Sequence, residues 1–190
     1  ETGIGTGFLR ARQRVAGNKM DAFRHMRLHL CDHRRLGRAD IGQDGALLER
    51  RCDLLGHGRI IGLDITHELI PDVVRQHPRV TLIEGDACAS FPQVAQLISA
   101  SEKTLVIEDS SHTYENTLNV LRTYSPLIKP GDYFVVEDGI CYHGLDLGPN
   151  PGPYEAIESF VAENSAFEID RSKESFLITW NPKGFLRRVR

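Results

Sequence analysis

Four short apolar runs in this chain end in acids, and those acids are the residues most able to do chemistry. "RIIGLDI" (59–65) carries Asp64, "RVTLIEGDA" (79–87) carries Asp86, "TLVIEDS" (104–110) carries Asp109, and "DYFVVEDG" (132–139) carries Glu137 and Asp138. Where such runs form a parallel sheet, ligands bind at the carboxyl ends of the strands. Asp64 is placed to accept both hydroxyl protons of a ribose, and Asp86 to meet an adenine edge. Each could equally cap the helix that follows it. Their order along the chain, behind the glycine-rich turn "ETGIGTG" (1–7), favours a nucleoside ligand. Glycines at alternate positions let a backbone turn tightly and approach a ligand without a Cβ clash.

Asp109, Glu137 and Asp138 would converge beside that pocket. Carboxylates packed together repel one another unless a cation or protons relieve them. Hard oxygen donors of this kind suit Mg2+; the alternative is that each caps a helix or pairs with an Arg or Lys. Nothing basic adjoins them in sequence, so a metal-free site is expected to be strained by repulsion. His112, three residues after Asp109, reads as a general base near neutral pH or as a hydrogen-bonded structural histidine.

The elements that must position these groups alternate between strand and helix. Between the apolar runs lie "FPQVAQLISA" (91–100) and "TYENTLNVLRTYSPLI" (113–128); in the second, Leu118, Leu121 and Ser125 fall at helical spacing and "KPGD" (129–132) supplies a stop. Such alternation predicts an α/β fold, a doubly wound and mostly parallel sheet. The tail "AFEIDRSKESFLITWNP" (166–182) predicts a terminal antiparallel hairpin of about 167–170 and 176–181. Residues 8–44 are rich in arginine, without a consistent apolar face. His25, His29 and His33 would share one helical face near Cys31, but no carboxylate or second cysteine completes a ligand set, and a solvated basic segment is the preferred reading.

A length of 190 residues suits one domain spanning 1–190. A net charge of -3 gives no reason to expect nucleic acid, and no apolar run approaches the roughly 18 residues of a membrane span. Four scattered cysteines, with no CxxC pair, favour a reducing cytoplasm over a disulfide framework or zinc site.

"ETGIGTG" matches the E-x-G-x-G-x-G first motif of class I S-adenosylmethionine-dependent methyltransferases. The run "VIEDSSHTYENTLNVLRTYSPLIKPGDYFVVEDGI", with "GPYEAIESFVAEN" and "FEIDRSKESFLITWNPKGFLRRV", resembles the cephalosporin hydroxylase family, which itself resembles methyltransferases and includes enzymes similar to rhamnosyl O-methyltransferases. The likeness covers about residues 45–190 and the first seven. It implies a Rossmann-like sheet, with Glu1, Gly3, Gly5 and Gly7 cradling the methionine portion of the cofactor. It also implies Asp64 on the ribose, Asp86 on the adenine side, and Asp109, Glu137 and Asp138 as Mg2+ ligands.

Two departures stand out. The family has an apolar strand leading into its first motif, and here the motif opens the chain, which implies an N-terminally truncated sheet with an open groove where strand exchange or dimerisation could occur. Gly7 and Asp64 lie 57 positions apart, where about 20 would suffice for one βαβ turn. Residues 8–44 therefore read as an insertion or a stretch of altered reading frame.

The expected activity is Mg2+-assisted, S-adenosylmethionine-dependent O-methylation of a small hydroxylated molecule, a sugar or natural-product scaffold, with Asp109 and His112 at the reacting centre. The Gly- and Pro-rich "CYHGLDLGPNPGPYEA" (141–156) would be the substrate-side loop. A nicotinamide-dependent oxidoreductase and a non-catalytic nucleoside-binding domain are the alternatives. The spacing of "GIGTG" argues against the first, because its third glycine comes too early for G-x-G-x-x-G.

Overall fold

The structure, a computed structural model, describes residues 27–31, 58–68, 70–143, 151–174 and 179–190. Seven strands among them form one sheet: β1 (Arg27–Cys31), β2 (Ile60–Asp64), β3 (Val80–Glu84), β4 (Leu105–Asp109), β5 (Tyr133–Val136), β6 (Phe167–Ile169) and β7 (Phe185–Arg188). The helices are α1 (Asp72–Arg75), α2 (Phe91–Leu97), α3 (Tyr114–Tyr124) and α4 (Pro153–Glu163).

β2 is buried along its whole length, as its unbroken "IIGLD" requires, and β4 is buried as far as Glu108. Alternation along β4 and β5 splits the core. Val106, Phe134 and Val136 join the main cluster with Leu118, Leu121, Ile157 and Phe160 of α3 and α4, whereas Leu105, Ile107 and Val135 form a smaller cluster with Tyr133 and Phe185. The helices bury one face because their apolar residues recur at helical spacing: Leu118, Leu121 and Tyr124 in α3, and Pro153, Ala156, Ile157 and Phe160 in α4. Pro153 opens α4 where a missing N–H costs nothing. Tyr124, fully buried, donates its hydroxyl to the Ala87 carbonyl at 2.7 Å and meets Phe91 edge-on, with ring centroids 5.2 Å apart.

The strand order is β3-β2-β1-β4-β5-β7-β6. β2 pairs parallel with β3 and β4 with β5, while β1 runs antiparallel to both β2 and β4, and β7 antiparallel to both β5 and β6. Five strands thus point one way and two the other. The ends of β2, β3, β4 and β5, with the acids that follow them, lie along one edge of the sheet.

Four expectations are corrected here. Only two of the six strand pairings are parallel, so the sheet is mixed and not mostly parallel, because β1 and β7 each run against both neighbours. The place between β2 and β4 is not an open groove: Arg27–Cys31 fills it, with Leu28 in register with both Leu63 and Glu108. Two facing strand edges with unpaired N–H and C=O groups form a strong template for a third. A strand over 27–31 also removes the helical spacing on which a shared His25, His29 and His33 face depended; His25 and His33 lie outside the described residues. The terminal hairpin exists, but the partner seen for Phe167–Ile169 is Phe185–Arg188; of the expected partner 176–181, residues 176–178 lie outside the described residues. β7 is inserted between β5 and β6, so its register is set by two neighbours, Phe134↔Leu186 on one side and Ile169↔Leu186 on the other. Among the described residues no helix is long and apolar enough to cross a membrane.

Candidate active site

The ends of β4 and β5 build the most connected polar cluster. The parallel register Glu108↔Val136 brings the two strand ends level, and the Glu137 N–H donates to the Glu108 carbonyl at 2.8 Å. Asp109 is therefore level with Glu137, and Asp138 follows one residue on. Between Asp109 and Asp138 stands His112, from the turn into α3: its Nε2 lies 3.2 Å from Asp109 Oδ1 and 3.7 Å from Asp138 Oδ2. His112 (φ 53) and Asp138 (φ 51) both occupy the left-handed backbone region. For residues with a Cβ this costs about 1–3 kcal/mol each and persists only where the surroundings enforce it.

Those surroundings are specific. The Asp138 N–H donates to Oδ1 of buried Asn181 at 2.9 Å, and the Cys141 N–H donates to the Asp138 carbonyl at 2.9 Å. Gly139 packs under Pro182, where an added Cβ would sit 3.0 Å from the proline carbonyl oxygen. The turn folds back far enough that His112, Asp138 and Cys141 each offer one ligand atom within 4.8 Å of the others. Burial works against a charge on His112, but hydrogen bonds to Asp109 and Cys141, with the nearby charges of Glu108 and Asp138, outweigh it and push its pKa up to about 10. A shift in that direction favours the protonated ring, which suits His112 as a hydrogen-bond donor between the two carboxylates. The protonated ring relieves the mutual repulsion expected of the acids.

One further acid belongs to the neighbourhood. Glu108 is fully buried, on the same side of β4 as Val106; its Oε1 accepts from the Ser110 hydroxyl, which accepts from Asn116 Nδ2 at 2.5 Å. Its second oxygen has no hydrogen-bond partner among the described residues, and burial pushes its pKa upward. Sequence reasoning missed Glu108, Cys141 and Asn181. The available signal for Glu108 was its place at an inward position of an otherwise apolar strand.

The β2–β3 side is built differently. Asp64 ends β2 with 5% of its surface exposed, its Oδ1 3.4 Å from the Thr66 N–H and its carbonyl accepting from the Gly85 N–H at 2.8 Å. Asp86 is exposed, and its Oδ1 accepts from the Ala89 N–H at 2.8 Å in the turn before α2. Glu1, Gly3, Gly5 and Gly7 lie outside the described residues.

Beyond Asp138 the chain is pinned to the start of α4. A Cβ on Gly152 would lie 2.5 Å from the Cys141 carbonyl oxygen, so only glycine allows this approach. Glu155 holds both sides: Oε2 accepts from the Gly152 N–H at 2.8 Å, and Oε1 lies 2.6 Å from His143 Nδ1. The His143 ring stacks on Tyr154 at 3.8 Å. Residues 144–150, the middle of the expected substrate loop, lie outside the described residues.

The family model described as rhamnosyl O-methyltransferase/CmcI matches residues 44–189. The chain belongs to this family. It is 33% identical over 138 residues to a rhamnosyl O-methyltransferase of Mycobacterium tuberculosis (strain ATCC 25618 / H37Rv), covering 68% of this chain and 56% of that protein. It is likewise 33% identical over 139 residues to the rhamnosyl O-methyltransferase of Mycobacterium leprae (strain TN), covering 68% and 59%. The chain thus spans somewhat over half the length of the curated relatives it matches. No solved structure matches it. Within the rhamnosyl O-methyltransferase/CmcI match fall Asp64, Asp86, Asp109, His112, Glu137, Asp138 and Asn181, whereas the glycines of 1–7 precede it.

Proposed function

We propose that this protein transfers a methyl group from S-adenosylmethionine to a hydroxyl of a small acceptor, a sugar by preference, on a Rossmann-like sheet of the class I methyltransferase kind. The observation that carries the reading is the convergence of Asp109 and Asp138 on one point at the ends of β4 and β5, in a chain of this family. Family membership supports methyl transfer over hydride transfer.

Asp64, nearly buried at the end of β2, is the residue to receive the ribose hydroxyls, with Asp86 on the adenine side and Glu1, Gly3, Gly5 and Gly7 on the methionine portion. Asp109, Glu137 and Asp138 would be the hard oxygen donors to a divalent ion such as Mg2+, although the ligand atoms that the structure gathers within 4.8 Å of one another belong to His112, Asp138 and Cys141. The bound groups would supply an electrophilic methyl and a Lewis acid for the acceptor oxygen. The protein's own part is positional and electrostatic. The carboxylates of Asp109 and Asp138 orient the acceptor hydroxyl and take its proton as the oxygen–methyl bond forms and the sulfur–methyl bond breaks, leaving a neutral thioether. His112 holds the two carboxylates to one point and balances their charge until the acceptor enters. The strained turn at Asp138, held by Asn181, spares the site any reorganisation at the moment of reaction.

The family match begins at residue 44, which supports reading 1–190 as one domain with 8–44 as an atypical segment. Isothermal titration with S-adenosylhomocysteine, with and without Mg2+, tests the cofactor assignment. Transfer of labelled methyl to methyl α-L-rhamnopyranoside tests the reaction. A folded sample that neither binds the nucleoside nor labels the sugar overturns the proposal.

A further inference from the structure

Trp180 is the only tryptophan of the chain, and at 65% exposure it is the most exposed of the large hydrophobic side chains among the described residues. A tryptophan left in water forgoes the burial that normally places it in a core or an interface. Its backbone, by contrast, is fixed beside the site. The Trp180 carbonyl accepts from the Ile140 N–H at 3.3 Å, the neighbouring Asn181 holds the Asp138 N–H, and Pro182 lies against Gly139. Asn181 is anchored in turn, its N–H donating to Thr179 Oγ1 at 3.1 Å. Three consecutive residues thus clamp 179–182 onto 138–140, and the one side chain of the three that they leave in solvent is a broad, flat aromatic.

We infer that Trp180 is the platform on which the sugar ring of the acceptor stacks, an inference that rests on the proposed sugar O-methylation. Asp109 and Asp138 can orient one hydroxyl, but one hydroxyl does not fix a ring. A pyranose presents a face of C–H groups carrying slight positive charge, and the negative face of an indole attracts it while both surfaces leave water. Because 179–182 and 138–140 are joined by the Ile140–Trp180 backbone hydrogen bond and by the Asn181 side chain on the Asp138 N–H, stacking on Trp180 would hold the ring beside the Asp138 turn. A 6-deoxy sugar, with a methyl in place of a hydroxymethyl group, gains most from such a surface. Trp180 acts as a specificity-determining residue and takes no part in proton or methyl transfer.

A single tryptophan makes the test direct. Titrating the full chain with methyl α-L-rhamnopyranoside should shift and saturate its emission. Trp180→Ala should raise the KM for the sugar about tenfold, the 1.4 kcal/mol of a tenfold change, while kcat falls far less and S-adenosylhomocysteine affinity stays unchanged, which also shows that the variant is folded. Trp180→Phe, which keeps a ring, should recover most of the affinity. Methyl transfer by Trp180→Ala with an unaltered KM, or wild-type turnover with no change in emission at saturating sugar, overturns the inference. If the wild type shows no methyl transfer but its emission still saturates with the glycoside, the platform stands and the reaction assignment falls. If neither response is seen, both fall.

Discussion

Along one edge of the sheet, the acids of β2 and of the turn after β3 are bound to nearby backbone, whereas those at the ends of β4 and β5 meet on one histidine side chain. Asp86 accepts from the Ala89 N–H three residues on, and Asp64 lies near the Thr66 N–H two residues on. Asp109 instead meets His112 three residues on, and the same ring reaches Asp138 from the neighbouring strand end, a contact that no local turn explains. Local backbone contacts are what a turn predicts; a partner that joins two strand ends, left-handed backbone at His112 and Asp138, and a buried Asn181 on the Asp138 N–H are what a built reaction centre predicts. The proposed function divides labour along the same line, with the nucleoside on one side and the chemistry on the other.

The largest effect should come from the chemical side. Asp109→Asn keeps the shape of the carboxylate but cannot take a proton, so kcat should fall about 10²- to 10⁴-fold, the contribution of a positioned acid–base group, with nucleoside affinity little changed. Turnover within a factor of about ten of wild type, against that range, would remove Asp109 from the reacting centre.

Metal comes next. Melting in millimolar Mg2+ against EDTA should show a stabilisation of about 2.7 kcal/mol at a hundred times the dissociation constant, and Asp138→Asn should abolish it. With His112 lodged between the acids, that variant loses a partner for the imidazolium, so its metal-free form should be less stable than wild type by about 1 kcal/mol instead of being relieved of repulsion. Identical wild-type melting curves in both conditions would refute the metal assignment.

On the nucleoside side, Asp64→Ala should weaken S-adenosylhomocysteine binding by about 1–3 kcal/mol, the cost of leaving hydroxyl donors without their charged acceptor. Unchanged affinity would return Asp64 to a purely local role and erase the proposed division.

Much of this was legible in sequence, and the failures share a cause. β2, β4 and β5 announce themselves as apolar runs with acids at their ends. α4 was not read, and the expected loop 141–156 runs into its first turn, although Pro153, Ala156, Ile157 and Phe160 do stand at helical spacing. Asp109 and Asp138 could be paired because parallel strands put their ends together. β1 was not legible, because "RLHLC" is a strand by virtue of the two edges it lies between. The hairpin partner was misplaced because "FLITW" is locally more strand-like than "FLRR"; β7 gains its place from both neighbours and from Arg187 pairing with Glu168 at 2.6 Å. Asn181, 43 residues from Asp138, reaches it through a backbone N–H, and no residue pattern encodes such a contact.

Asp86 gives the smallest effect and separates the two kinds of acid most finely. Its exposed carboxylate already accepts the Ala89 N–H, a bond that needs an oxygen but no charge. Asp86→Ala should therefore cost about 0.5–2 kcal/mol of stability, as loss of a cap does, and Asp86→Asn, which keeps the oxygen, should cost almost nothing. Neither outcome speaks to the ligand, but affinity does. If Asp86 also meets the adenine edge, the exocyclic amine is the donor, and Asn can still accept from it, so Asp86→Asn should bind S-adenosylhomocysteine nearly as well as wild type while Asp86→Ala binds more weakly. If its role ends at the turn, both variants bind alike and differ only in melting. Measuring affinity and melting for the same pair of variants decides which of the two roles this residue has, and a binding loss in Asp86→Asn as large as in Asp86→Ala would show that charge, not hydrogen bonding, was the missing element of the reading.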